Sequence, residues 1–166
     1  MMTILAVAAI KKTTLDEKIA GNLRVQNIAF QAAEQALRKC ESALTLASDN
    51  PNEMCLPRPQ SGAAIPINEP AGELGASPQA NFPHRWELAS NWENSALAYR
   101  LTGSDKVSGL ASEKQPQCMI ETWPFNDTDT DDRSKQEKKA YVITARAVGP
   151  TNAGVVWLQE VIRCGN

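Results

Sequence analysis

From Leu15 onward, apolar residues recur at the spacing of an α-helix. Leu15, Ile19, Leu23, Phe30, Ala33, Leu37 and Leu44 fall on one stripe, and Cys40 lies among them. Asp16, Glu17, Arg24, Gln31, Glu34, Gln35 and Arg38 collect on the opposite side. Between the two runs a strip of small residues, Val25, Ala29, Ala32 and Ala36. Small side chains let a second helix approach closely. The stripe of larger residues is therefore assigned to the protein's own sheet, and the small strip to a subunit interface. On that assignment Ala32→Arg spares the fold and impairs assembly. The alternative is a single core helix with one wide apolar face.

Upstream, Met1–Ile10 carries no charge. A helix running from Met1 to about Leu46 is roughly 70 Å long. A compact chain of this size is only about 30–40 Å across, so something outside the domain must receive the first half. Thr13–Thr14 and Gly21 are the expected soft spots, where the helix bends or melts.

Asn50-Pro51 ends the helical pattern. Residues 48–116 hold most of the prolines and read as an irregular connection, with a short helix or strand around Trp86 to Leu101. The remainder, 117–166, reads as sheet. "QCMIETW" is one strand, and "AYVITARAV" and "GVVWLQEVI" are two more, joined through "GPTNA" as a hairpin. Tyr141, Ile143 and Ala145 share one face, as do Val155, Trp157, Gln159 and Val161. Alternation does not decide which face meets the helix, because both are apolar. The class is α+β, a long N-terminal helix packed on an antiparallel sheet. Its parts are 1–47 (helix, with 1–12 a remnant of a membrane or filament-core half), 48–116 (loop) and 117–166 (sheet), together one globular domain.

Composition narrows the function. A chain of 166 residues supports one domain with a real core, and a formal charge of −2 gives nucleic acid no bulk attraction. Cys40, Cys55, Cys118 and Cys164 form an even set with no C-x-x-C pair, and His84 is the lone histidine, so zinc spacings are missing. Two disulfides in an oxidising compartment follow. By position they are Cys40–Cys55 and Cys118–Cys164, the two other pairings staying open. Oxidation implies export, yet Met1–Ile10 is too short to span a bilayer alone and lacks a secretory cleavage site. It reads as the second half of a spanning helix, with Lys11 and Lys12 at the headgroup level.

No catalytic constellation emerges: there is no G-x-S-x-G elbow, no phosphate loop and no dinucleotide fingerprint. Asp127, Asp129 and Asp131 alternate like the first ligands of a calcium loop. Asp132 then stands where glycine is needed and Lys138 where the closing glutamate belongs, so a solvated loop is the better reading. Arg133, Lys135, Lys138 and Lys139 follow that acidic run, which cancels their pull on phosphate. Neither an enzyme nor a cofactor is expected.

"EKIAGNLRVQNIAFQAAEQALRKCE" resembles the helix signature of the PilX family of type IV minor pilins. "QPQCMIE", residues 115–121, resembles that family's Gln-Pro-x-x-x-Ile-Glu strand, and "YVITARAVG" with "GVVWLQEVIR" its closing hairpin. The family's basic leader, cleavage site and early glutamate do not precede Met1, a departure read as trimming or a misplaced start. The resemblance implies a pilin fold and a low-abundance subunit that joins other minor pilins and the major pilin to prime assembly. It also implies a PilY-type adhesin as partner at the tip, and a helix held in the inner membrane, with its domain in the periplasm, before it enters the extracellular filament. The alternatives are a type II secretion pseudopilin, or a surface module binding DNA or a host ligand through residues 48–114 and Trp86 or Trp92.

Overall fold

The protein is described from a computed structural model, which covers residues 2–44, 65–68, 84–123, 140–151 and 154–163. Helix α1 spans Met2–Leu44, 43 residues or about 64 Å. It runs unbroken through Thr13–Thr14 and Gly21, so the expected soft spots are not breaks. Nothing presses on Gly21, and a lone glycine costs a helix only about 1 kcal/mol against alanine.

The sheet contains β1 (Ile67–Asn68), β2 (Tyr99–Arg100), β3 (Gln117–Trp123), β4 (Ala140–Val148) and β5 (Val155–Arg163) in the order β1-β3-β4-β5, with β2 also pairing β3. β3, β4 and β5 form an antiparallel meander, in which Ile120 sits opposite Ile143 and Ile143 opposite Glu160. β1 joins β3 in parallel, so the sheet is mixed rather than wholly antiparallel. A parallel neighbour demands a long crossover, and residues between Asn68 and β3 supply it. The Trp86–Leu101 stretch forms 3₁₀ turns at Arg85–Glu87 and Ala89–Glu93 before β2.

Tyr141, Ile143 and Ala145 of β4 turn inward with Cys118 and Ile120 of β3, and meet Ala36, Cys40, Ala43 and Leu44 of α1 in the main core. The face left ambiguous by alternation is thereby settled. A second contact joins Ala32 and Ala33 to Ala147. Loop backbone that reaches the core is hydrogen-bonded there. The buried Gln115 side chain accepts from the Val107 amide (2.7 Å) and donates to the carbonyls of Val107 (3.1 Å) and Leu110 (2.8 Å). Asn68 likewise donates to the carbonyls of Leu97 (2.8 Å) and Ile120 (3.0 Å), as burial of an amide requires.

The sheet's other face is partly roofed by residues 84–98. Trp92 is 1% exposed and packs with Ala98 and Met119. Its indole N–H donates to the Trp86 carbonyl at 2.9 Å, and its own carbonyl accepts from Gln117.

Candidate interaction surface

The phase of α1 decides which residues are available to a partner. At about 100° per residue, the buried positions Ala29, Ala32, Ala33, Ala36, Cys40, Ala43 and Leu44 form one continuous face. That face is centred on the small strip, which therefore belongs to the protein's own core. Ala29, Ala32 and Ala36 are no more than 1% exposed, and Val25 is half-buried. The assignment of Val25, Ala29, Ala32 and Ala36 to a subunit interface is corrected on this point. The physical reason is distance: alanines let the sheet come close to the helix axis, as they would have let a second helix.

Val25 shows how close the approach is. Its Cγ1 lies 2.5 Å from where a Cβ on Gly149 would sit, so only glycine fits at the end of β4. The Gly149 amide donates to the Gly154 carbonyl at 2.8 Å, closing the β4–β5 hairpin beneath that turn of helix.

The larger residues turn outward instead. Leu15, Ile19, Leu23 and Phe30 are 58%, 49%, 55% and 48% exposed, and they share about 80° of the helix circumference. Only the later members of the original stripe, Ala33, Leu37, Cys40 and Leu44, reach the core, Leu37 at its edge. Residues 15–24 are exposed on every side, because the sheet ends near Val25. Among the described residues, no helix is long and apolar enough to cross a membrane.

Contacts on both sides of α1 orient the stripe. On one side Gln35 donates to the Asp105 carbonyl at 3.0 Å, and the Lys39 ammonium lies 2.9 Å from the Asp105 carboxylate. That hydrogen bond, opposed by partial desolvation, raises the Lys39 pKa above its ordinary value. This is the β3 side, where the segment leading into β3 runs. Gln26 lies on the other side, over Gly154 at the start of β5. Leu15, Ile19, Leu23 and Phe30 follow Gln26 around the helix and so lie on the flank that continues to β5.

On the sheet face away from α1, Val155, Trp157 and Val161 of β5 are 48%, 46% and 57% exposed. Trp157 meets the Trp92 ring edge-on at 5.1 Å, and the Arg146 guanidinium lies 5.4 Å from its centroid. This braced aromatic cluster was not anticipated. The alternation that placed Trp157 on one face was the available signal, but nothing local tied Trp92 to it.

The cysteines pair differently from the expectation. Cys40 is bonded to Cys118, with Cα atoms 6.2 Å apart and a separation of 78 positions in sequence. This replaces both Cys40–Cys55 and Cys118–Cys164. Cys40 sits on the buried face of α1 over β3, which brings its thiol to that of Cys118 in the sheet. Cys55 and Cys164 lie outside the described residues, as do Asp127, Asp129 and Asp131. His84 stacks on Trp86, with ring centroids 5.9 Å apart.

One long helix, anchored along half its length on a sheet and carrying its larger apolar side chains into the open, defines a pilin-like α+β protein. Two family models match it: PilX N-terminal over residues 1–38, and Type IV pilus assembly protein PilX C-term over residues 45–164. The chain belongs to the PilX family. No curated protein and no solved structure matches it. Membership makes it a minor pilin of type IV pilus assembly, a structural component that works with other pilus components.

Proposed function

We propose that this minor pilin acts without catalysis, by joining other minor pilins in the complex that primes pilus assembly. In this reading it stands at the pilus tip, contacts the major pilin and supports a PilY-type adhesin there. Before assembly its helix is held in the inner membrane with the domain in the periplasm, and afterwards it is part of the extracellular filament. One observation supports the reading above others: Leu15, Ile19 and Leu23 form an exposed apolar stripe on the part of α1 that extends past the sheet, and Phe30 continues it along the packed part. Such a stripe is covered when helices bundle.

The test is deletion of the gene in its host, with surface pili counted by electron microscopy in the presence and absence of the retraction motor. Few pili with the motor, and recovery without it, are expected of a subunit that promotes assembly. Unchanged pili in both strains contradict the priming role.

A further inference from the structure

β5 is the last strand of the sheet, and no described strand pairs with its outer edge. Its nine residues, Val155–Arg163, run in unbroken register against β4 with no bulge. They include no proline, glycine or lysine to blunt the edge; of their two charges, Glu160 stands opposite Ile143 on the helix face and Arg163 closes the strand. Folded domains blunt a free edge with these devices, because an open row of backbone donors and acceptors invites another strand. In an antiparallel pair, alternate residues turn their N–H and C=O groups to the neighbour and the intervening residues turn theirs away. One alternating set of β5 backbone groups therefore faces outward, unpaired by any described strand.

Two further observations converge on this edge. The roof formed by residues 84–98 covers Met119 of β3 but leaves Val155, Trp157 and Val161 half-exposed along β5. On the opposite face, the exposed helix stripe that ends at Phe30 lies on the β5 flank. Among the described residues, an unpaired backbone edge is thus bordered by apolar side chains on the face away from α1, and the helix stripe continues past the end of the sheet on the same flank.

We propose that the β5 edge receives an extended segment of a different pilus subunit, lengthening this sheet by one strand; the proposal rests on the minor-pilin reading above. The backbone row accepts only another extended backbone. The side chains bordering it select a segment whose alternate residues are apolar. Pairing of β5 with β5 of a second copy would be isologous. It would close into a dimer with the two helices antiparallel and so would not continue along a filament. A different subunit, running alongside the Leu15–Phe30 stripe, satisfies the edge and the stripe together.

The experiment uses the full chain in its host, with a photo-crosslinking residue in place of Val155 in one strain and of Leu23 in another. Mass spectrometry then maps the joined peptides. The expected result is capture from both positions, with the Val155 product mapping to a strand of another pilus subunit. Val161→Lys in the same chain should abolish the Val155 crosslink, whereas Leu88→Lys, an equally exposed apolar site away from the edge, should retain it. Unchanged circular dichroism melting of both lysine variants shows that the fold is intact. Capture from Leu23 with none from Val155 overturns the strand proposal and leaves the minor-pilin reading standing. No capture from either position overturns both. Val155 products confined to this chain, in its own loops or in a second copy, also overturn the strand proposal.

Discussion

The two halves of α1 use apolar residues in opposite ways. From Val25 to Leu44 the buried face is mostly alanine, and the sheet closes on it so tightly that Val25 leaves room only for a glycine at position 149. From Leu15 to Leu23 the large residues stand half in solvent, as Phe30 does on the outer side of the packed half. Burial on a helix is decided by how near its partner comes, so the smallest side chains can form the core while the largest wait at the surface. In this protein the intramolecular contact is the close one. The stripe of leucine, isoleucine and phenylalanine is left uncovered by the described residues.

The largest expected effect falls on the close-packed half. Ala32→Arg puts a charge where 1% of the residue is exposed. It should destabilise by more than about 3 kcal/mol, since a buried, unpaired charge is among the costliest substitutions. Thermal unfolding followed by circular dichroism measures it. The same substitution spares the fold if the small strip is a subunit interface, so this variant separates the two assignments.

Next in size is the crosslink between helix and sheet. Cys40→Ser with Cys118→Ser should lower stability by about 4.5 kcal/mol in the chain-entropy account, given the 78-residue separation. Urea unfolding checks it. A smaller effect is expected at the helix–hairpin contact. Gly149→Ala should cost about 1–3 kcal/mol, and Val25→Ala in the same chain should recover much of that loss by removing the atom at 2.5 Å. A double-mutant cycle that finds the two changes additive would show that the close approach is absent in solution.

How far these features could be read from the residues alone differs by element. β3 and β4 match "QCMIETW" and "AYVITARAV" residue for residue, because β-branched and aromatic runs bounded by proline, glycine and polar residues mark strands locally. The length of α1 was equally plain, but its rotation was not. Periodicity fixes which residues share a face, whereas the sheet's position across from Ala29 and Ala36 is a tertiary fact. The alanine series ending at Ala43, together with Gly149, was the signal for a close contact, and an external helix would have explained the alanines as well. The disulfide was misassigned because nearness in sequence was taken for nearness in space. Cys40 on the stripe meant for the sheet, and Cys118 in a strand, already pointed to each other. β1 escaped notice because a two-residue parallel strand leaves no pattern of its own.

The division of labour along α1 is tested most directly by charging the open stripe while leaving the closed face alone. In Leu23→Lys with Phe30→Lys, at positions 55% and 48% exposed, the unfolding free energy should stay within about 0.5 kcal/mol of the parent. Surface pili counted in the host, with the retraction motor active, should fall to the level of the gene deletion. A folded variant that still makes a normal number of pili would contradict the claim that this stripe is where the protein meets its neighbours.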